Sequence, residues 1–277
     1  MSDQEPPRTQ QARAAAELAL VRVVHHYGAR PEFVLLGGLV PHLLCPDAPL
    51  PHAGTTDVDV QVDLEIAGGA VHAAKLENAL RNADFAPDDE RSWRWVAESG
   101  LSRSVIKFEL LADLDDQPAG VTVTFDDCEH LGAVNLRGTG YAAQDVQVRR
   151  LRAKDGGVWR TAEVNVTGLA GFLLAKVAAA YGRRKPKDWY DLAYVLLHND
   201  IGGPYPAAQA VLTRFGSSLG RVHVALTDLA ANFTTVDNQG PVAYLEQATL
   251  DDPTLDPATA AADAQLAVSR FCGLLLP

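Results

Sequence analysis

The chain has 277 residues, a formal net charge of −11 at pH 7, 47% apolar and 21% charged residues, and three cysteines. This length accommodates one or two domains with adequate cores, and the composition excludes a chain that is disordered throughout. The acidic balance argues against a protein that coats nucleic acid with clustered cations, although it leaves room for a local basic face.

The first eleven residues are polar, contain two prolines and lack the apolar segment of a signal peptide. Apolar runs such as 169–180 are interrupted by Lys176 and fall short of the roughly 20 residues that span a membrane. Cys45, Cys128 and Cys272 are widely spaced, which favours reduced core residues over a disulfide framework or a zinc site. We therefore expect a cytoplasmic protein.

The first predicted element is a helix from Gln10 to Tyr27. Leu18, Val21 and Val24 recur at helical spacing, and Gly28 is a typical residue with which to end such a helix.

Residues 33–62 read as strand, glycine turn, short helix, loop and second strand. The first apolar run stops at Gly37 and Gly38, where the absence of Cβ permits a sharp turn and close approach of a ligand. In the second strand Asp57 and Asp59 alternate with valines, so both carboxylates point to one face. Their Cα atoms lie roughly 7 Å apart, and their oxygens can share divalent ions about 3.5–4 Å apart. An isolated Asp-x-Asp is more often inert, but the preceding strand and turn make this pattern specific.

This arrangement resembles the opening of the nucleotidyltransferase superfamily that shares the polymerase β fold. Its pattern is a Gly-Gly or Gly-Ser turn, an Asp-x-Asp strand and a third acidic residue on a later strand. In the strand predicted at 104–111, Glu109 is the natural third carboxylate. Asp113, just past the strand, is the alternative, and a structural surface role for Glu109 also stays open.

Short extended runs between residues 121 and 164 predict further strands that extend the sheet or form a small β insertion. They include the basic cluster Arg149, Arg150, Arg152 and Lys154. A second basic cluster occupies residues 183–187. Each cluster by itself is more often a solvated face than a binding site.

The C-terminal part is predicted to be helical, with one helix over 168–183 and a second after Pro186. Lys176 and Arg183 lie two turns apart on one helical face, a spacing suited to gripping polyphosphate oxygens. Helices are also predicted over 205–215, 221–232 and 257–275, separated by a looser acidic stretch at 236–253.

The stretch 173–196, LLAKVAAAYGRRKPKDWYDLAYVL, strongly resembles the C-terminal signature of AbiEii-type nucleotidyltransferases. These are the toxins of type IV and MenAT-like toxin-antitoxin systems, in which a Lys, an Arg and a Lys/Arg-Asp-x-x-Asp run follow at these offsets. One departure stands out. The family commonly has an Arg four residues before the first metal-binding Asp, where this chain has Ala53, although Thr55 is kept.

The resemblance implies a polymerase-β-like α/β (α+β) fold, in which a mixed sheet is flanked by helices and followed by a C-terminal helical domain. The expected domains are an N-terminal helix at 1–30, a nucleotidyltransferase domain at 31–165 and a helical domain at 166–277. The resemblance also implies an enzyme that moves a nucleoside monophosphate from an NTP to an RNA 3′ end, with tRNA foremost, and releases pyrophosphate. A cognate antitoxin is a possible partner.

In this interpretation the site has three sets of residues. Two Mg²⁺ ions are expected on Asp57, Asp59 and Glu109, and these three, with Lys176, are the expected catalytic residues. The nucleotide is expected to contact Gly37, Gly38, Thr55, Arg183 and Lys187, while Asp188 and Asp191 orient the cations or the acceptor. The alternatives are a nucleotidyltransferase that modifies a small molecule or a protein, and a nucleotide-binding module without catalysis.

Overall fold

A computed structural model of the chain describes residues 8–62, 70–99 and 104–276. Residues 1–7, part of the predicted N-terminal segment, lie outside the described residues. Up to residue 112 the elements are α1 (Gln10–Tyr27), β1 (Val34–Leu36), α2 (Val40–Leu44), β2 (Asp57–Gln61), α3 (Ala70–Asn82), β3 (Ala86–Pro87), β4 (Arg94–Glu98) and β5 (Val105–Ala112). They are followed by β6 (Thr122–Thr124), β7 (Gly132–Asn135), α4 (Gly140–Ala143), β8 (Val146–Asp155), β9 (Val158–Thr167), α5 (Leu169–Arg183), α6 (Pro186–His198), α7 (Pro204–Phe215), α8 (His223–Asn232), α9 (Gln239–Asp251) and α10 (Pro257–Leu275).

The chain divides into two compact units. The first comprises the chain up to Leu39 together with Ala53–Thr167, and it contains the sheet, α1, α3 and α4. The second comprises Val40–His52 and the chain from Gly168 onward, and it contains α2 and α5 to α10.

The nine strands of the described residues form one mixed sheet flanked by helices, which confirms the predicted α/β class. The main path of the sheet runs β3-β4-β5-β2-β1-β9-β8, and β7 joins β5 and β6 beside it. β2 runs parallel to β5 and antiparallel to β1, while β1 runs parallel to β9.

The predicted N-terminal helix is confirmed with the same bounds, and both of its ends have a local cause. The side chain of Thr9 accepts a hydrogen bond from the backbone N–H of Ala12, 3.1 Å away, and so satisfies one of the free donors of the first turn. At the other end Gly28 adopts a left-handed conformation with φ 75°, which costs glycine little.

The centre of the first unit is β5, where every second side chain is buried. Ile106, Phe108 and Leu110 are 2% exposed or less, and the rings of Phe33 and Phe85 meet the ring of Phe108 edge-on with centroids 5.9 Å apart. Alternation of this kind buries one face of a strand and leaves the other for polar groups. The strand therefore presents Lys107 and Glu109 on the opposite face.

One prediction for the helical unit was wrong. The acidic stretch at 236–253 was expected to be loose, but most of it forms α9, which packs against α6 and α10. Its buried face is made largely of small residues, Gly240, Ala243 and Ala248, and their hydrophobic signal is weak. A Cβ on Gly240 would overlap the ring of Phe233, so this face packs unusually close to a neighbouring aromatic side chain.

In the part of the chain that the structure describes, every helix is too short or too polar to cross a bilayer.

Candidate active site

The parallel pairing of β2 with β5 assembles the acidic residues that the sequence singled out. Asp57 pairs with Lys107 and Asp59 pairs with Glu109 across the two strands. Because residues paired across neighbouring strands share a face of the sheet, these four side chains lie on the side opposite the buried Val58 and its neighbours. Together with Arg94, the partner of Glu109 on β4, we call them the carboxylate face.

Glu109 is held by an arginine that sequence analysis gave no role. Arg94 Nε donates to Glu109 Oε1 over 2.7 Å, and Arg94 Nη2 lies 2.5 Å from the same oxygen. Both side chains are less than one-fifth exposed. A charge-assisted pair of this kind fixes the position of the carboxylate and neutralises it.

A second cation lies beside Asp57. Lys107 Nζ is 4.0 Å from Asp57 Oδ1, and the two side chains are 29% and 23% exposed. This partly exposed pair is weak in free energy. Its importance lies in the position of the charge, since it places an ammonium group next to the first aspartate.

The glycine turn after β1 touches the second aspartate. Gly37 has φ 75°, and a Cβ built on it would overlap the carboxylate of Asp59. A Cβ on Gly38 would lie only 3.0 Å from the side chain of Thr55, whose hydroxyl accepts a hydrogen bond from the backbone N–H of Asp57 over 3.0 Å. The turn, the threonine and both aspartates therefore form one contiguous group.

Replacing Gly37 with alanine is expected to destabilise the protein, because the new Cβ meets two obstacles. A non-glycine residue at positive φ costs about 1–3 kcal/mol, and the overlap with Asp59 forces the carboxylate to move. Chemical denaturation should therefore show a loss in the free energy of unfolding of roughly 2–4 kcal/mol.

Gly28→Ala is the matched control. Gly28 has the same φ of 75°, but a Cβ there has nothing within 4 Å. Its loss should stay near the backbone cost alone, about 1 kcal/mol. Equal losses in the two variants would show that Gly37 is not in close contact with Asp59.

Asp113, the alternative third carboxylate, is engaged elsewhere. Its Oδ2 accepts hydrogen bonds from the backbone N–H groups of Gly138 and Gly140, each over 2.9 Å, and Arg137 lies 4.0 Å from its other oxygen. It thus fixes the turn that leads into α4. In the strand register Glu109, not Asp113, is the neighbour of Asp59.

The C-terminal motif forms a separate cluster inside the second unit, which we call the buried ion-pair network. Lys176 Nζ lies 2.8 Å from Asp191 Oδ2 and 3.3 Å from Asp188 Oδ1, and all three side chains are at most 6% exposed. Arg183 donates to both oxygens of Asp188, from Nε over 3.1 Å and from Nη2 over 2.7 Å. The helical spacing predicted that Lys176 and Arg183 share a face, and they share Asp188 as a partner.

His52 completes this network from a distant part of the sequence. Its Nε2 is 2.9 Å from Asp191 Oδ1, and the ring is fully buried between the rings of Tyr190 and Tyr194. The hydroxyl of Tyr194 also donates to the carbonyl oxygen of Leu50 over 2.6 Å. The segment before β2 is therefore anchored on α6 by two polar contacts.

Lys176 keeps its charge in this setting. Burial lowers its pKa, but the carboxylates of Asp191 and Asp188 raise it by more, and the net pKa is raised above the ordinary value of 10.5. The result is a permanently protonated ammonium whose two near neighbours are carboxylates. Such a group is suited to orienting α6 against α5 and is a poor nucleophile or base.

Two predicted nucleotide contacts lie nearer the surface. The side chain of Arg183 is 45% exposed although it binds Asp188, and Lys187 is partly exposed at the start of α6. Among the C-terminal residues predicted to contact the nucleotide, Arg183 and Lys187 are therefore the two cations whose charge reaches solvent.

Sequence reasoning missed three residues of these clusters. Lys107 had a usable signal, because it stands two residues before Glu109 and so shares its face. Arg94 had none, since its contact depends on the register between β4 and β5. His52 had none either, because its partner is 139 residues away. Arg94 and Lys107 supply positive charge near the aspartates in a chain that has Ala53 where an arginine was expected.

Comparison of the sequence with models of known protein families and with curated proteins gave no significant match.

Proposed function

We propose that the protein is a metal-dependent nucleotidyltransferase that moves a nucleoside monophosphate from an NTP to a hydroxyl acceptor. The observation that carries this proposal is the contact of the Gly37 turn with Asp59, beside Asp57 and in register with Glu109. A glycine turn packed against paired carboxylates is suited to binding a nucleoside triphosphate with its magnesium ion. The polymerase-β-like fold is part of the same proposal.

The residues on the carboxylate face fit Mg²⁺ with the help of the substrate. Among the described residues, no group of three His, Cys, Asp or Glu side chains is arranged to hold a metal ion. Magnesium in phosphate-transfer sites is usually held by one or two carboxylates together with substrate phosphates and water. Asp57 and Asp59 meet that requirement, while Glu109 is bound by Arg94.

Each residue then has a defined task. Asp57 and Asp59 would hold Mg²⁺, which stabilises negative charge on the triphosphate and lowers the pKa of the acceptor hydroxyl. The acceptor oxygen attacks the α-phosphorus, the bond from that phosphorus to the pyrophosphate oxygen breaks, and pyrophosphate leaves. Glu109 takes the hydroxyl proton, and Arg94 keeps its carboxylate in place. The backbone of Gly37 and Gly38, which carries no Cβ of its own, would contact the phosphates.

The role of the C-terminal motif in this proposal is revised from the expectation. Lys176 was expected to neutralise the departing pyrophosphate, but its ammonium group is buried between two carboxylates. We assign it to positioning α5 against α6. The expected contact of Arg183 and Lys187 with the nucleotide stays a prediction.

The proposed acceptor is the 3′ end of an RNA, with tRNA foremost, and the proposed outcome is growth arrest in a toxin-antitoxin or phage-defence system. Incubating the protein with Mg²⁺, total tRNA and each α-labelled NTP in turn tests this. Label on intact tRNA would support the proposal, provided that prior periodate oxidation of the tRNA 3′ end prevents the labelling. Label on protein or on a small hydroxyl compound would overturn the RNA acceptor, and no transfer to any acceptor would overturn the enzyme.

A nucleotide-binding module without catalysis is the second candidate. It is favoured by the pairing of Glu109 with Arg94 and of Asp57 with Lys107, because these cations already balance the carboxylates that a metal would need. Saturable binding of an Mg-NTP without pyrophosphate release would support this candidate.

Asp113→Ala separates the two candidates for the third carboxylate. The variant loses hydrogen bonds from two backbone N–H groups to a charged acceptor, so the free energy of unfolding should fall by about 2 kcal/mol. Transfer activity, measured below the unfolding transition, should be unchanged because Asp113 points to the turn at Gly138. Glu109→Gln should instead keep most of the stability and lose transfer. The opposite pattern would make Asp113 the third carboxylate.

A further inference from the structure

The hairpin formed by β8 and β9 extends well beyond the rest of the sheet. Each strand has ten residues, and they are joined by Gly156 and Gly157, both at positive φ, as a two-residue hairpin turn requires. β9 pairs with β1 only through Asn165 and Val166. Residues 158–164 therefore continue past β1 with β8 as the outer strand.

One side of this hairpin is packed and the other is exposed. Leu151 and Ala153 on β8, with Ala162 and Val164 on β9, are at most 7% exposed, and α1 packs on the hairpin. The alternate positions of β8 are Arg150, Arg152 and Lys154, whose partners on β9 are Glu163, Thr161 and Trp159. We call these six residues the basic hairpin face.

An exposed aromatic ring lies in this face. Trp159 is 55% exposed, and the guanidinium carbon of Arg152 lies 4.2 Å from its ring centroid. A flat ring beside a planar cation is suited to stacking with nucleic-acid bases, which is worth roughly 1–3 kcal/mol per base.

The charges of the face suit a phosphate backbone. Arg150, Arg152 and Lys154 follow one another at every second residue, about 7 Å apart, along one strand. The only acidic member of the face is Glu163, 3.3 Å from Arg150, and this exposed pair contributes little free energy. Three cations and one tryptophan are thus concentrated on one side of a hairpin in a chain whose net charge is −11.

The register of the sheet relates this face to the carboxylate face. Asp59 pairs with Leu36, and Val34, two residues earlier on β1, pairs with Asn165. Steps of two along β9 lead from Asn165 to Trp159, so both faces lie on the same side of the sheet. Asp59 is level with Leu36, one residue beyond the Leu35–Val166 pair, so Trp159 lies eight residues away along the strand, which is roughly 26 Å.

We propose that the basic hairpin face binds single-stranded nucleic acid, with a base stacked on Trp159 and phosphates on Arg150, Arg152 and Lys154. This inference rests on the proposed function in one respect, because it makes the bound strand the body of the acceptor whose 3′ end reaches Asp59. A strand of several nucleotides is needed to contact both faces. The bound substrate is therefore an oligonucleotide or a longer chain.

The test is equilibrium binding of fluorescently labelled oligonucleotides to the full chain, measured by fluorescence anisotropy in the absence of NTP and Mg²⁺. The probes are a twelve-nucleotide RNA, the DNA of the same sequence and a three-nucleotide RNA. The hairpin variant combines Arg152→Gln with Trp159→Ala. The control variant combines Arg30→Gln with Tyr205→Ala and so removes one exposed arginine and one exposed aromatic residue elsewhere. A third variant is Glu163→Gln.

We expect the Arg152→Gln, Trp159→Ala variant to bind the twelve-nucleotide RNA at least tenfold more weakly, by the loss of one stacked base and one phosphate contact. The control pair should bind like the unaltered protein, and Glu163→Gln should bind more tightly. Tighter binding of RNA than of DNA would assign the site to RNA, and equal binding would assign it to single-stranded nucleic acid of either kind.

Equal affinity of the hairpin variant and the unaltered protein would overturn the inference, as would no binding by the unaltered protein at low salt. A concentration-dependent dimer that Trp159→Ala disperses, without nucleic-acid binding, would also overturn it, because the face would then join two copies. Repeating the binding with Asp59→Asn separates the two proposals. In Asp59→Asn the binding should persist although transfer is lost. Binding by the unaltered protein without any transfer would count against the enzyme alone, and transfer that is unaffected by the hairpin substitutions would count against this face alone.

Discussion

Asp59→Asn is expected to abolish nucleotidyl transfer while leaving the protein folded. The amide has nearly the same shape as the carboxylate, so the contact with Gly37 is kept. It lacks the negative charge that holds Mg²⁺ on the triphosphate. Metal-ion catalysis contributes several kcal/mol, and at about 1.36 kcal/mol per factor of ten the rate should fall roughly a thousandfold.

The measurement is the initial rate of label transfer from the preferred NTP, with circular dichroism and thermal unfolding as checks on the fold. Asp116→Asn is the matched control, because it removes an exposed carboxylate of the same unit away from the carboxylate face. It should transfer at the rate of the unaltered protein. If Asp59→Asn retained that rate too, the carboxylate face would not be the site of transfer.

Lys176→Met is expected to produce the largest loss of stability of any single substitution considered for this protein. It leaves Asp188 and Asp191, both at most 1% exposed, without the cation between them. Removing one partner from a buried ion pair costs about 3–5 kcal/mol. The unfolding temperature should fall by roughly 10 °C, and Arg270→Met, which removes an exposed cation of the same unit, should leave it unchanged.

The loss should also depend on pH in a defined direction. In the unaltered protein the raised pKa of Lys176 means that its pairing contributes fully below the ordinary lysine pKa of 10.5, and that the contribution is lost as pH rises through the still higher pKa of the folded state. Lys176→Met should show no such loss above pH 10.5.

A double-mutant cycle identifies the network as the cause. Adding Asp191→Asn to Lys176→Met removes the unpaired charge, so the double variant should be more stable than the sum of the two single losses predicts. Additive losses would show that Lys176 and Asp191 do not interact in the folded protein.

Local rules predicted the elements that have local causes. The helix from Gln10 to Tyr27 has a capping threonine at one end and a glycine at the other, and both can be read directly from the chain. The alternation that placed Glu109 on one face of its strand depends only on the pleat, and the structure has the same alternation from Val105 to Leu110, after which Leu111 and Ala112 are both buried.

Contacts set by register or by tertiary packing could not be predicted in this way. Glu109 binds Arg94 because β4 lies antiparallel to β5 at one particular offset, which the sequence of neither strand specifies. His52 reaches Asp191 across 139 residues. The prediction for α9 failed for a different reason, since much of its buried face consists of Gly240, Ala243 and Ala248, whose hydrophobic signal is weak.

The C-terminal motif shows that a spacing can place residues on one helical face without specifying their surroundings. Lys176 and Arg183 were placed on one helical face, and both contact Asp188. The spacing carried no information about burial, however, and Lys176 turned out to face two carboxylates inside the unit. The positive charge of a motif can thus be neutralised by the motif's own acidic residues.

The most direct test of nucleotidyl transfer compares two labels on the same NTP. The protein is incubated with Mg²⁺, tRNA and the NTP labelled either at the α-phosphate or at the γ-phosphate. The account predicts that the α-label becomes attached to tRNA while the γ-label is released as pyrophosphate in equal amount. Transfer of the γ-label, or its release as inorganic phosphate without any α-label on an acceptor, would contradict it.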